Sequence, residues 1–406
     1  MKTETVPLAI LGAKPTFETP LHVGRPNIGD RAAFQRRVDG MFERRWLTNN
    51  GPLVQEFESR LREQAAVKNA IAFCNATVAL EVLGRAAKLT GEVIVPGFTF
   101  VASAHAFDWL GLSPVFCDVD ADSHTIDVSR IEDLITPATS AIVATHVWGQ
   151  PCAVEELEKL AVKYRIKLFF DAAHAFGCSL NGRPIGGFGD AEVFSFHATK
   201  FVNCFEGGAV VTNDDELARE LRLMRNFGFA GIDNVVRRGT NAKMPEVCAA
   251  MGLTSLDAMI DIVSCNKRNY DIYQQALAGL PGLSVFQYNP NEQNNYQYIV
   301  TRVGPAAPLN RDDVAAVLEA ENVLVRKYFF PGVHRMAPYN ARPLPTNLPV
   351  TERLCSEVMA LPNGTAVTEA DVLAVARIIR LAFDNAEVVR AQLTNPSPDL
   401  NRTKTS

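Results

Sequence analysis

At 406 residues the chain exceeds what one small hydrophobic core organises, so a large domain with a smaller companion is expected. Hydrophobic residues at 47% and charged residues at 21% are ordinary globular values, and a net charge of −5 gives no electrostatic reason to expect nucleic acid or an anionic membrane as partner. No apolar run approaches the ~20 residues of a membrane span, the N-terminus lacks the shape of a signal peptide, and the eight scattered cysteines include no CxxC pair, which together predict a cytoplasmic chain with neither metal site nor disulfide framework.

Residues 1–30, with Gly12, Pro15, Pro20, Gly24 and Pro26 and little periodicity, read as an extended N-terminal arm laid over a neighbouring surface. Helical spacing runs from Arg31 to Arg45, breaks at the turn-rich Trp46 to Pro52, and resumes from Leu53 to Ala65 with Val54, Phe57 and Leu61 on one face. Residues 69–73 predict a strand, and a helix follows from Asn75 to about Leu89. The unpaired N–H groups at such a helix start lie at the positive end of its dipole and suit a phosphate. By residue type alone, Asn75 or Thr77 serves equally as a plain helix cap.

The next strand is Glu92 to Pro96, followed by Phe98 and Phe100, which taken alone read as core. Pro114 to Asp118 and Ala141 to Thr145 are further buried strands, and Val154 to Tyr164 is a helix. Strands alternating with helices of this length imply a largely parallel sheet covered on both faces.

The reactive groups are concentrated after this point. Residues 167–170 form an apolar strand, Asp171 stands at its end, and His174 lies on the loop beyond; ligands of open α/β sheets gather at such ends. A second strand, Glu192 to Phe196, leads into His197-Ala-Thr-Lys200, which places Lys200 beside Ser195 and Thr199, and Gly207-Gly208 opens a third strand from Ala209 to Thr212. A carboxylate at one strand end and a lysine past the next suit pyridoxal phosphate (PLP), whose aldehyde takes a lysine amine and whose ring nitrogen pairs with an acid. From residue types alone, Asp171 as a turn cap, Lys200 as a surface lysine and Cys204 as a packed thiol remain open.

Asp214 and Asp215 cap a helix from Leu217 to Phe227 that stops near Gly228. One long helix is expected from Glu246 to about Leu280, with Pro281-Gly282 turning into a small α+β domain containing strands at 283–286 and 296–300 and a helix at 311–321. The expected divisions are an arm at 1–30, a large domain at 31–262, a small domain at 263–391 and a polar, mobile tail at 392–406.

The words DAAHAFG, FSFHATK and EGGAVVTND, with Gly97 to Ser103 and Gly239 to Glu246, resemble the active-site signature of the DegT/DnrJ/EryC1/StrS aminotransferases. The resemblance implies the PLP-dependent fold type I, an α/β large domain with a mostly parallel seven-stranded sheet and a smaller C-terminal α+β domain. It implies that Lys200 bonds to PLP, with pyridoxamine phosphate (PMP) formed between half-reactions, and that Asp171 pairs with the ring nitrogen. His174 would lie by the phenolic oxygen, Phe100 would cover the ring, and Ser195 with the amides of Ala76 and Thr77 would hold the phosphate, Ala76 standing where the family has glycine. Asn241 would reach the phosphate in the partner subunit of a homodimer with shared active sites, although Ala242-Lys243 replaces the family's usual aromatic–arginine pair. His334 would sit on the substrate-side loop.

The implied reaction moves an amino group from L-glutamate to a keto group of a nucleotide sugar. Arg45 to Val54 and the stretch around Lys200 look most similar to enzymes that convert dTDP-4-keto-6-deoxyglucose to dTDP-4-amino-4,6-dideoxyglucose. C3-ketosugar and cyclitol (inosose) aminotransferases share this machinery and stay open as alternatives. A PLP/PMP-dependent sugar dehydratase would carry histidine in place of Lys200, and a non-catalytic sensor would have no use for intact Asp171, Ser195 and Lys200.

Overall fold

The computed structural model describes residues 7–342 and 347–394. Seven strands form the central sheet: β1 (Asn69–Phe73), β2 (Glu92–Pro96), β3 (Ser113–Cys117), β4 (Thr139–Thr145), β5 (Lys167–Asp171), β6 (Ala191–Ser195) and β7 (Gly208–Thr212). Their order is β1-β7-β6-β5-β4-β2-β3, with β7 antiparallel to both neighbours and every other pair parallel. Alternate residues of each strand serve opposite faces. Ala70, Ile94, Ile142, Leu168, Phe170, Phe194 and Val211 enter one core, and Ile71, Val93, Val95, Val143, Phe169, Val193 and Val210 enter the other. The strands therefore read as continuous apolar runs because neither face meets water.

Helix α1 (Arg31–Arg44) and helix α2 (Pro52–Ala65) cover the first face, while α3 (Ala76–Ala86) and the helix Asp215–Arg225 cover the second. The start of α2 has no cap from its own N-cap residue, Gly51. Glu246 supplies one from far along the chain, its buried carboxylate accepting from the N–H groups of Leu53 and Val54, both at 2.9 Å.

The single long helix expected from Glu246 to Leu280 is instead two, α4 (Glu246–Asp257) and α5 (Met259–Leu277), bent by 61° at Ala258. The bend lets one stretch serve two cores: Leu253, Leu256 and Ile262 pack beneath the sheet, whereas Tyr270, Tyr273 and Leu277 pack in the small domain. Among the described residues no single helix is long and apolar enough to cross a membrane.

The small-domain sheet runs β8-β9-β10, all antiparallel, from β8 (Leu283–Val285), β9 (Ile299–Val303) and β10 (Val358–Leu361). β9 begins three residues later than the expected strand at 296–300, because the N–H groups of Tyr296 and Gln297 donate to the side chains of Asn294 and Asn295 and their carbonyls accept from Asn363, instead of pairing with a strand. The described part of the N-terminal arm lies over the small domain. Leu8, Ile10 and Leu21 are buried in the small-domain core, and the carboxylate of Glu321 accepts from Ala9 N at 2.6 Å and from Thr16 N and Oγ1 at 2.7 Å. Of the expected tail, residues 392–394 complete the helix Ala386–Thr394, and 395–406 lie outside the described residues.

Candidate active site

The register of the sheet brings separate chain segments to one edge. Gly208, opening β7, pairs with Phe73 at the end of β1 and with Ser195 at the end of β6. Asp171, closing β5, pairs with Val193 and with Thr145 at the end of β4. Because β7 alone is antiparallel, its first residue meets the last residues of its neighbours, and α3 starts just beyond β1 at this same edge.

Gly208 has to be glycine for a steric reason: an ideal Cβ there would stand 2.5 Å from Ala76 N and 2.6 Å from the carbonyl carbon of Asn75. The sheet thus presses against the first turn of α3. Asn75 caps that turn by accepting from Val78 N at 2.8 Å, and the amides of Ala76 and Thr77 belong to the same turn, whose donors have no acceptor within the helix. Ser195 is partly buried nearby, its Oγ accepting from His197 N at 3.4 Å.

Asp171 is buried and held on both oxygens. Oδ2 accepts from Ser103 Oγ at 2.6 Å and Oδ1 from Ala173 N at 3.1 Å. Behind Ser103 the hydroxyls of Thr99 (2.9 Å) and Thr145 (3.1 Å) continue the network across the edge. A carboxylate fixed in this way cannot swing out to meet solvent, and it faces whatever occupies the edge with its geometry already set.

Lys200 lies on the turn after β6, its backbone N–H donating to His197 O at 2.8 Å. Its Nζ donates to the hydroxyl of Tyr298 at 3.2 Å. Burial disfavours the ammonium and brings its pKa down to about 8, with the negative charge of Asp171 pulling in the opposite direction. His174 is buried in an aromatic stack against Trp148 and Phe329, and its Nδ1 accepts from Trp148 N at 3.2 Å. Burial and then the nearby Lys200 hold its pKa well below the usual range, so the ring is neutral with its proton on Nε2.

Phe98 and Phe100 part company. Phe98 is core, edge-on to Trp148 and Phe329, but Phe100 is 53% exposed at the turn before the helix Ala102–Trp109, which corrects its reading as core. Asn241 is exposed, bridged to Asn226, and the carbonyl of its neighbour Ala242 accepts from Cys74 N at 2.9 Å, two residues before Ala76. His334 lies beyond the ends of β2 and β3 on this side of the sheet, where Val333 N donates to Gly97 O at 3.1 Å. It is buried against Gly97 and Phe116, with Nε2 3.4 Å from Glu352 Oε1.

These groups fit the cofactor implied by the sequence. An amine of lowered basicity, a fixed carboxylate and a helix N-terminus line one edge, and the bare Gly208 keeps side chains away from the end where a phosphate would rest. Residue patterns gave no role to Thr99, Ser103 or Thr145, although the first two lie in the Gly97–Ser103 word. Tyr298, 98 residues beyond Lys200, gave no signal at all, because only the folded small domain delivers it.

The model for the DegT/DnrJ/EryC1/StrS aminotransferase family matches residues 29–380. A crystal structure of DesI in the presence of its TDP-sugar product is 48% identical to this chain, covers 96% of it and 99% of the DesI chain, and superposes with a TM-score of 0.92. The dTDP-4-amino-4,6-dideoxy-D-glucose transaminase of Escherichia coli is 35% identical over 88% of this chain and 97% of that enzyme. GDP-perosamine synthase of Caulobacter vibrioides is 33% identical over 80% of this chain and 89% of its own length.

Proposed function

This chain belongs to the DegT/DnrJ/EryC1/StrS aminotransferase family, and on that premise we propose that it transfers an amino group from L-glutamate to the C4 ketone of dTDP-4-keto-6-deoxyglucose, forming dTDP-4-amino-4,6-dideoxyglucose. The observation that carries the reading is the convergence of the Lys200 amine, the Asp171 carboxylate and the start of α3 on one sheet edge, in a chain this similar to DesI.

Bound PLP supplies an electron sink that acidifies the carbon bearing the amino group. Lys200 anchors it and, when released, moves the proton at that carbon, a task suited to an amine titrating near 8. Asp171, held by Ser103 and Ala173, keeps a proton on the ring nitrogen. His174, neutral, would lie by the phenolic oxygen, and Phe100 would cover the ring. Ser195 and the amides of Ala76 and Thr77 take the phosphate. His334, packed in the fold, acts on the substrate loop only by supporting it.

Asn241 completes the phosphate site of a second copy in a homodimer. Exposed Phe227, Phe229 and Ile232, on the hairpin before it, supply apolar surface for that contact. Eight free cysteines suit a reducing cytoplasm.

The test is incubation with 15N-labelled L-glutamate and a panel of dTDP-4-keto-6-deoxyglucose, a dTDP-3-ketosugar, a GDP-4-keto-6-deoxysugar and an inosose, read by NMR. Label on C4 of the dTDP sugar is expected. Preferential labelling at C3, of the GDP sugar or of the cyclitol refutes the proposed substrate.

A further inference from the structure

We infer that Tyr298 is a further catalytic residue: its hydroxyl is the group that holds and orients the Lys200 amine whenever that amine is free. This rests on the role proposed for Lys200. The contact itself is direct, Nζ donating to the phenolic oxygen at 3.2 Å, and Tyr298 is 6% exposed, so water does not compete freely for the phenol.

The placement of that hydroxyl is built from both sides. The side chain of Gln297 accepts from Phe201 N at 3.2 Å and donates to Thr199 O at 3.4 Å, gripping the main chain immediately before and after Lys200. Asn295 donates to His174 O at 2.8 Å and to Phe176 O at 3.0 Å, tying the same small-domain segment to the loop beyond Asp171. Tyr288 donates to the carbonyl of Tyr298 at 2.8 Å. The Tyr298 ring is then confined among His174 (4.4 Å between ring centres), Trp148 (5.4 Å) and Tyr328 (5.9 Å). Asn295, Gln297 and Tyr298, three residues of one small-domain segment, thus fix the register between a phenol and one lysine, which apolar packing alone would not require.

A phenol suits this task because it accepts and donates. Towards an ammonium it offers an oxygen lone pair; towards a neutral amine it offers its O–H, or accepts one amine N–H while the nitrogen lone pair points to substrate. Burial pushes its own pKa well above the usual value, reinforced by Tyr328, Tyr288 and Asp171, so the phenol keeps its proton. The charged or titratable groups around Lys200 are Asp171, which favours the ammonium, and His174, which burial keeps neutral. In each half-reaction a C–H bond would break as an N–H bond forms on Nζ, the proton would return from Nζ to the carbon at the other end of the same C–N–C unit, and Tyr298 would end as it began.

Tyr298→Phe removes one hydroxyl and leaves the ring. In cofactor-free protein, the pH dependence of Lys200 acylation, followed by peptide mass spectrometry, reports the amine's pKa without any turnover. Loss of the oxygen that accepts from the ammonium should lower that pKa by about one unit. In the loaded enzyme kcat should fall about 10- to 100-fold with the KM for the sugar unchanged. Tyr288→Phe, which removes a hydroxyl that reaches the carbonyls of Tyr298 and Trp148 but not Lys200, should leave the Lys200 titration where it is. A second variant with 3-fluorotyrosine at position 298 keeps the hydroxyl and weakens it as an acceptor, lowering the lysine pKa by less. An unmoved lysine titration in Tyr298→Phe, or in the 3-fluorotyrosine protein should Tyr298→Phe fail to fold, overturns the inference. Failure to trap cofactor on Lys200 with borohydride would instead overturn the role proposed for the lysine.

Discussion

Replacing Asp171 by asparagine isolates charge from shape. Asn keeps an oxygen to accept from Ala173 N, and its amide can donate to Ser103 Oγ, whose hydroxyl is free to turn towards Thr99, so both hydrogen bonds around the side chain survive. Stability should therefore change by only about 1 kcal/mol. Catalysis should change far more. A protonated ring nitrogen loses its buried counter-charge, and preorganised charge in a water-excluded site contributes about 3–5 kcal/mol to a transition state, which corresponds to a kcat lower by about 10²- to 10⁴-fold. The same substitution removes the charge that raises the Lys200 pKa, so the free amine should titrate below its present value of about 8. The assay is 2-oxoglutarate release under saturating substrates, with cofactor content measured by absorbance. A kcat within tenfold of wild type at full cofactor occupancy would refute the assignment.

Gly208→Ala should weaken PLP binding at least tenfold, because the added methyl meets the main chain of Asn75 and Ala76 rather than a movable side chain; equilibrium dialysis would show it, and unchanged affinity would mean the phosphate rests elsewhere. Cofactor-free protein should gain stability as pH rises from about 8 towards 10.5, since a lysine of depressed pKa leaves the folded state with fewer bound protons than the unfolded chain across that window; Lys200→Met should flatten this slope in urea titrations, and a slope that persists points to another group. Glu58→Gln should cost about 3 kcal/mol in urea unfolding, because it leaves Arg225 buried without the carboxylate 2.6 Å away; a loss below ~1 kcal/mol would mean that the bonds from Arg225 to Ala72 O and Asn50 suffice. Lys200→Ala and Asn241→Asp homodimers should each be poor, yet random mixing after refolding should restore about a quarter of wild-type activity, since half the dimers are mixed and half their sites are whole. No recovery, with mixed dimers confirmed by mass spectrometry, would place Asn241 in its own chain's site.

The large domain was legible because a sheet buried on both faces writes each strand as an uninterrupted apolar run, and such runs located all seven strands within a residue or two. Asp171, Ser195 and Lys200 were legible for a related reason: each sits at or just past the end of such a run. The bend at Ala258 was not, since α4 and α5 stay apolar through the break and periodicity says nothing of which core each half enters. Nor was the burial of the arm, whose anchor is the carboxylate of Glu321, some three hundred residues away. Phe98 and Phe100 are alike in composition and two apart, yet only tertiary packing decides that one is core and the other open. Tyr298 and Gln297 belong to the same class of long-range facts.

The role of Lys200 is tested most directly by adding PLP, reducing with borohydride and mapping the modified peptide by mass spectrometry. A phosphopyridoxyl group on Lys200, absent from Lys200→Ala and from protein reduced after L-glutamate has converted the cofactor to its amine form, is the expected result. A stable adduct on another lysine, or full turnover by Lys200→Ala, would contradict it.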